Sequence, residues 1–350
     1  MNDIFFMQRA INLAQMGFGK VSPNPMVGCV IVYENKIIGE GYHQQFGQAH
    51  AEVNAVNSVK EINKKNLSNA TFYVTLEPCS HYGKTPPCAD LLADIRPKKI
   101  VVAHLDSNPL VAGKGIEKLK NLGIEVLLFV LKNEVYEQNR RFFTFFTQKR
   151  PYIILKWAMT NDHFVAKENF DSKWISHDFS RKIVHQWRTE ENAILVGKNT
   201  AFYDNPKLNA RDWDGRQPTR IVLDNQLNLP QKLHLFDESQ PTIVYNQIKN
   251  DVKNNLIFVK IPAEISQQWQ FIFADLYQKN IQSLIIEGGA MTLKNLIQLG
   301  LWDEARVFEA NKISFGKGIE APKINQLPQK TINFQEDTLK IYRNYQTEIL

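Results

Sequence analysis

Thr71-Phe72-Tyr73-Val74-Thr75-Leu76-Glu77-Pro78-Cys79-Ser80-His81-Tyr82-Gly83-Lys84-Thr85-Pro86-Pro87-Cys88 is the stretch that decides the fold. It opens as a β-branched, aromatic strand over Thr71–Leu76. It leaves that strand into two thiols and then starts a helix over Ala89–Ile95. Upstream, His50-Ala51-Glu52 opens another predicted helix, about His50 to Lys60. Together these segments supply one imidazole, two thiols and a carboxylate that need not ligate. A hydrolytic zinc site needs three protein ligands and an open fourth position. It also needs a proton carrier beside the water. His50, Cys79 and Cys88 fit as ligands and Glu52 as the carrier. A helix N-terminus and Zn²⁺ both favour thiolate over thiol.

Histidine, glutamate and proline-cysteine in this order match the zinc-deaminase pattern, in which a non-ligand glutamate shuttles protons. That pattern has two residues between the cysteines. Here Ser80 to Pro87 intervene, so the loop is longer and distinctive. The competing reading is a structural zinc with His81 or His43 as fourth ligand. It leaves Glu52 without a role.

The chain has 350 residues, which makes two domains the default. Its 43% apolar and 22% charged residues are ordinary globular composition. No apolar run approaches the roughly 20 residues of a membrane span. The longest, about Val126 to Leu131, reads as a buried strand. No basic-apolar-small leader pattern opens the chain. Three cysteines make no disulfide framework. Cys29 reads as a small core residue, and a reducing cytoplasm fits. The net charge of +6 is modest. It suits an anionic small molecule better than nucleic acid, which favours clustered basic stripes.

Helix about 3–16, hairpin Val27–Tyr33 and Lys36–Tyr42 turning at Glu34-Asn35, then strands Thr71–Leu76, Lys99–His104 and Glu125–Leu131 alternate with helices at 89–95 and 115–122. This order implies an α/β layer domain. A helical segment, Lys132 to Lys149, leads to Arg150-Pro151, and proline disfavours helix at the preceding residue. The chain therefore divides into residues 1–148 and 149–350. The second part restarts with strand Tyr152–Met159. Ser176 is the expected cap of a helix carrying Ile183 and Trp187 on one face. Strands at Ala193–Val196, Arg220–Leu223, Thr242–Tyr245, Ser283–Ile286, Val307–Glu309 and Leu339–Tyr342 follow, with helices about 264–279 and 290–299.

The run from Pro78 to Cys88 resembles the deaminase signature of the bifunctional riboflavin-biosynthesis deaminase/reductase. Pro23-Asn24-Pro25-Met26-Val27-Gly28, Gly41-Tyr42-His43, His50-Ala51-Glu52, Asp106-Ser107-Asn108-Pro109 and Gly113-Lys114-Gly115 are similar to further motifs of that family. The resemblance implies a cytidine-deaminase-like α/β/α domain followed by a dihydrofolate-reductase-like α/β domain. It implies zinc in the first and NADPH in the second. It implies removal of an amino group from a phosphorylated diamino-pyrimidinone, then reduction of its ribosyl group. It also implies a homo-oligomer, commonly a dimer. Asn24, His43, His81, Lys84, Thr85 and Asn108 become deaminase substrate contacts. A nucleoside or tRNA deaminase is the alternative, and it leaves the second α/β domain unexplained.

No Gly-x-Gly-x-x-Gly fingerprint follows a strand. Instead Ile285-Ile286-Glu287-Gly288-Gly289-Ala290-Met291-Thr292-Leu293 runs from strand to helix, where glycines admit a pyrophosphate and the helix start supplies amides. It resembles the reductase family's cofactor loop, residues 288–293. By the same resemblance Ala158, Trp174, Thr200 and Asp204 fall on the cofactor side. Asp162, Ser172, Arg188, Leu208, Arg211 and Glu287 fall on the substrate side. Arg188 and Arg211 suit phosphate through bidentate guanidinium contacts; a surface ion pair of Arg188 with Glu190 or Glu191 is the bland alternative. Asp162 is also a candidate proton donor. Thr160-Asn161-Asp162-His163 departs from the family's serine-leucine-aspartate-glycine, and histidine would be strained if that position needs a positive φ. A silent reductase-like binding domain is the reading that departure keeps open.

Overall fold

The computed structural model describes residues 3–82, 86–109, 111–173 and 175–345. Lys84, Thr85 and Trp174 lie outside them. The chain falls into two compact units, Met1–Lys149 and Arg150–Leu350.

In the first unit, strands β1 (Gly28–Tyr33), β2 (Lys36–Tyr42), β3 (Thr71–Leu76), β4 (Lys99–His104) and β5 (Glu125–Leu128) form one sheet in the order β2-β1-β3-β4-β5. β1 runs antiparallel to β2 and β3, while β3, β4 and β5 are parallel. The hairpin turns at Glu34 and Asn35, both at positive φ, as a two-residue turn requires. Helices α1 (Asp3–Gln15), α2 (Ala51–Asn57), α3 (Glu61–Lys64), α4 (Cys88–Ile95), α5 (Lys114–Asn121), α6 (Lys132–Gln138) and α7 (Arg140–Gln148) complete the unit. Alternation along β1 separates two cores. Cys29 and Ile31 pack with Ala51, Ala55, Leu92, Ile116 and Leu119 from α2, α4 and α5. Val30 and Val32 pack with Phe6, Met7, Ala10 and Val135 from α1 and α6. The sheet is therefore covered on both faces.

Two expectations change. β5 stops at Leu128, because Phe129 and Leu131 take positive φ and turn the chain out of the strand. The single helix expected over 132–149 is two, broken at Asn139. The buried Asn139 amide accepts from Met26 N at 2.7 Å and donates to Met26 O at 3.0 Å. It holds the Pro25-Met26 backbone rather than continuing a helix.

In the second unit, β6 (Tyr152–Thr160), β7 (Phe164–Ala166), β8 (Ala193–Gly197), β9 (Thr219–Leu223), β10 (Thr242–Asn246), β11 (Asp251–Lys253), β12 (Leu256–Lys260), β13 (Ser283–Ile286), β14 (Glu304–Ala310), β15 (Ile319–Glu320), β16 (Lys330–Phe334) and β17 (Asp337–Arg343) surround helices α8 (Asp178–Glu190), α9 (Lys198–Asp204), α10 (Ile265–Gln278) and α11 (Ala290–Gln298). The main sheet runs β11-β12-β10-β9-β8-β13-β6-β14-β17-β16, and β15 pairs with β7. From β12 to β14 neighbouring strands are parallel. α10 and α11 cover one face through Trp269, Ile272, Phe273, Leu276, Leu293 and Leu296. The cap of α8 is His177, not Ser176: its ring accepts from the Phe179 amide at 3.3 Å. Strand β13 reaches Ile286 and enters α11 through Gly288 and Gly289.

His163 does stand at positive φ, 66°, with its side chain exposed. A left-handed non-glycine residue costs about 1–2 kcal/mol, and glycine returns roughly half of that as unfolded-chain entropy. His163→Gly is therefore expected to raise the stability of the second unit by about 0.5–1 kcal/mol. All six tryptophans lie beyond residue 150, so their fluorescence in a urea titration reports this unit. A midpoint that falls would contradict the strain.

Candidate active sites

Parallel strands carry their sites at their carboxyl ends, and both units follow that rule. In the first, Cys79 leaves the end of β3 and Cys88 opens α4. His50 is the N-cap of α2 and makes no side-chain cap, so its ring turns to the thiols. Its Nδ1 lies 3.5 Å from Cys79 Sγ and 3.4 Å from Cys88 Sγ. The three donor atoms lie within 4.8 Å of one another and form the only such group among the described residues. A tetrahedron with zinc bonds of about 2.0–2.3 Å has edges of about 3.3–3.8 Å, so the nitrogen–sulfur spacings fit.

The Cys88 amide donates to Cys79 Sγ at 3.3 Å. Hydrogen bonding from Cys88 above all, with help from His50, pulls the Cys79 thiol down to about 4. The same contact pushes Cys88 up. The protein alone thus readily stabilises one thiolate; a dication would draw the proton from the second as well. Glu52 is 3% exposed, in the first turn of α2. Burial pushes its carboxyl up to about 7, the Cys79 charge adds to the rise, and His50 opposes it. A carboxyl near neutrality can both accept and return a proton.

His43 is buried and its Nδ1 lies 3.1 Å from the Ala49 carbonyl. That nitrogen must donate, which leaves Nε2 to accept from Asn24 Nδ2 at 3.1 Å. His43 is thereby engaged as a polar partner of Asn24, and its ring stands edge-on to that of His50 with centroids 5.2 Å apart. His81 is half-buried, and Asn108 sits in the loop after β4 with its amide on Asp106 Oδ1 at 2.7 Å.

In the second unit β8 and β13 are parallel neighbours, so their exits lie side by side. β8 enters α9 through Gly197, and β13 enters α11 through Gly289; neither helix has a side-chain cap. Gly288 and Gly289 take φ of 108° and 78°. A methyl at Gly197 would stand 2.8 Å from Thr292 Oγ1, one at Gly289 3.1 Å from the same oxygen, and one at Gly288 3.3 Å from Thr200 Oγ1. Gly197, Thr200, Gly288, Gly289 and Thr292 make a cradle with uncapped amides, which fits a dinucleotide phosphate. Ala290 opens α11, and Met291 is exposed. Leu293 and Leu208 are buried, so each has only backbone to offer a ligand. Ala158 packs against Val184, Phe308 and Leu339 near the end of β6.

Arg188 pairs with Glu287, not with Glu190 or Glu191. Its Nε and Nη2 donate to the two carboxylate oxygens at 3.0 and 2.7 Å. Burial would raise Glu287, but Arg188 and then Lys156 overcome it and hold the acid down at about 2. His185 Nδ1 and Arg188 Nη1 both meet the Asn209 carbonyl, at 3.1 and 3.0 Å. Burial, with Arg188 and Arg211 nearby, drives His185 down to about 4. Asp212 stands between Arg211 and His185, 3.8 Å from Arg211 Nε and 3.2 Å from His185 Nε2, so Arg211 and Arg188 each face a carboxylate. Ser172 donates to both oxygens of Asp204, at 3.0 and 3.1 Å, so two residues assigned to opposite ligands meet in one contact. Asp162 accepts from Thr160, from Phe315 N at 3.0 Å and from Gly316 N at 2.7 Å. Those bonds, Thr160's first, lower its pKa. An ionised acceptor anchors a loop and has no proton to give, which counts against the donor reading.

Residues 151–340 match the family described as the RibD C-terminal domain. Residues 1–104 match the cytidine and deoxycytidylate deaminase zinc-binding region. The chain belongs to the RibD family. A riboflavin biosynthesis protein RibD of Aquifex aeolicus is 41% identical, over 97% of this chain and 98% of its own. That of Actinobacillus pleuropneumoniae is 40% identical over 92% and 87%. The crystal structure of a diaminohydroxyphosphoribosylaminopyrimidine deaminase/5-amino-6-(5-phosphoribosylamino)uracil reductase from Thermotoga maritima is 37% identical, covers 97% and 98%, and superposes with a TM-score of 0.84. Form 1 of Acinetobacter baumannii RibD gives 34%, 97% and 98%, with a TM-score of 0.87. As a RibD member this chain is a bifunctional deaminase and reductase of riboflavin biosynthesis, with zinc and NADPH as cofactors. Its deaminase-like and dihydrofolate-reductase-like halves are those expected. No described helix is long and apolar enough to cross a membrane.

Sequence reading passed over Gly197, Glu77, Lys156 and His185. Gly197-Lys198-Asn199-Thr200 carries the same strand-glycine-helix signal as the 286–290 turn and could have been found. Glu77 and Lys156 carry a weaker signal, a charge inside an apolar strand pattern. His185 carries none, because its neighbours come from other elements.

Proposed function

We propose that the first unit removes the 2-amino group of a diamino-ribosylamino-pyrimidinone 5′-phosphate, and that the second reduces the resulting ribosyl group to ribityl. The observation that carries this is the convergence of His50, Cys79 and Cys88 with a buried Glu52, in a chain that also holds the glycine cradle and the Arg188–Glu287 pair. In this reading His50, Cys79 and Cys88 hold zinc. Bound zinc supplies Lewis acidity that makes water a nucleophile near neutral pH, and NADPH supplies the hydride.

Glu52 takes the proton of the attacking water and returns it to the departing amine. Asn24, oriented by His43, hydrogen-bonds the base beside His81. Lys84, Thr85 and Asn108 complete the grip on ring, ribose and phosphate. In the second unit the backbone of Gly288 to Leu293, with Thr200, Ala158, Trp174 and the Ser172-bound Asp204, seats the cofactor. Arg188 and Arg211 hold the substrate phosphate, and Glu287 keeps Arg188 in place. The Leu208 backbone closes that side, and Asp162 fixes the loop beyond β6. The free thiols of Cys29, Cys79 and Cys88 suit a reducing cytoplasm. The chain is taken to form a homo-oligomer, checked by its mass in solution.

Purified protein with the phosphorylated diamino-pyrimidinone and NADPH tests the assignment. Ammonia release followed by NADPH oxidation is expected. Ammonia without oxidation would leave the reductase half silent and point to the Thr160–His163 turn; no ammonia would remove the substrate.

A further inference from the structure

Glu77 is the last residue before Pro78-Cys79, and its carboxylate is buried. The mechanism above gives it no part. Its amide continues the β3–β4 pairing by donating to the His104 carbonyl at 2.9 Å. Its side chain then reaches over the end of β4. Oε2 accepts from Asp106 N at 3.3 Å and Gly113 N at 2.9 Å; Oε1 accepts from Gly115 N at 3.0 Å and Ile116 N at 3.3 Å. Four backbone amides from both ends of one loop, including the first turn of α5, therefore converge on one carboxylate. The joint is tight on its other side as well. A methyl at Gly115 would stand 2.1 Å from the Pro78 carbonyl oxygen, so only glycine lets the loop lie against the segment that carries Cys79. Acceptor-only oxygens are required here. An amide in place of the carboxylate would turn an NH₂ group towards two N–H donors.

We infer that Glu77 is a positioning residue of the deaminase: it ties the loop from Asp106 to Gly115 to the Cys79 segment and so sets the substrate-gripping wall at a fixed distance from the reacting carbon. This rests on the reading of Asn108 in that loop as a substrate contact. The effect belongs to binding rather than to the proton relay, so it falls on KM.

The test is steady-state deaminase kinetics on zinc-loaded, full-length Glu77→Gln, with zinc content and NADPH-dependent reduction measured on the same protein. KM for the pyrimidine phosphate is expected to rise roughly tenfold as two amides lose their acceptor, with zinc content and reduction at wild-type levels. A KM within twofold of wild type overturns the inference, as does loss of zinc in step with kcat, which would make Glu77 part of the metal site's fold. Gly115→Ala strains the same joint from the opposite side and is expected to raise KM too. The double variant should then rise less than the product of the two single effects, and independent effects would contradict a shared joint. Should Glu77→Gln fail to fold, KM in Gly115→Ala decides alone. Asn108→Ala separates the two readings: an unchanged KM there removes Asn108 as a contact, while an unchanged KM in Glu77→Gln removes the positioning role even when Asn108→Ala is impaired.

Discussion

Glu52→Gln is expected to keep its zinc and lose deaminase turnover by roughly 10²–10⁴-fold, the usual contribution of a positioned proton carrier. The amide is nearly isosteric and leaves His50, Cys79 and Cys88 untouched, so metal affinity has no reason to fall. Burial, the dominant cause of the raised Glu52 pKa, costs a neutral amide far less than a carboxylate. The first unit should therefore be no less stable than wild type. Ammonia release and zinc content measured on one preparation check both halves of this expectation. A variant that deaminates at the wild-type rate would show that the proton moves by another route. Cys79→Ser is the contrast: it removes a proposed ligand, and it should lose zinc and deamination together while NADPH binding remains.

Arg188→Ala is expected to destabilise the second unit by about 3–5 kcal/mol, the cost of leaving a buried charge without its partner. Glu287 sits with its side chain 8% exposed and gives both oxygens to Arg188. Lys156 offsets part of the loss, which places the effect near the lower end. Reduction should be lost as well if Arg188 meets the substrate phosphate. Replacing both partners, Arg188→Met with Glu287→Gln, leaves the buried Lys156 without its acid, so it should recover only part of the stability and none of the reduction. The six tryptophans of this unit report the unfolding midpoint. A single variant that unfolds at the wild-type midpoint would mean the pair carries no structural charge balance. The pair also sets an acid limit. Glu287 has a folded pKa of about 2 against an ordinary 4.5. A depressed acid pKa gives stability that is complete above the ordinary value and lost as pH falls towards the folded one. The midpoint should therefore decline between about pH 4.5 and 2, and less steeply in the double variant.

Much of this protein is local information. Strand period 2, helix period 3.6 and the punctuation at Glu34-Asn35 and Pro151 suffice to order most of the elements, since each signal lies within a few residues. Among the missed pieces β7, β11 and β15 span two or three residues, too few for a period to show, whereas β12, β16 and α9, of five, five and seven residues, were missed as well. The break at Asn139 was missed because its cause, the Met26 backbone, lies 113 residues away.

His50, Cys79, Cys88 and Glu52 could be singled out from the sequence because metal chemistry restricts residue type so strongly that His-x-Glu and two cysteines leave few alternatives, and the structure brings the three donor atoms within 4.8 Å of one another. The reductase half offers no such restriction. Arginine, glutamate, aspartate and serine are common everywhere, and their roles depend on which one meets which. Only the packed structure places Arg188 on Glu287 rather than on its helix neighbours, and Ser172 on Asp204. Only it gathers four distant amides onto Glu77. Residue type and spacing thus pointed to metal-assisted deamination in the first unit, while the reductase chemistry was read from family resemblance. The pairing of charges was settled by burial, since an ion taken out of water is tolerable only beside the partner the fold brings to it.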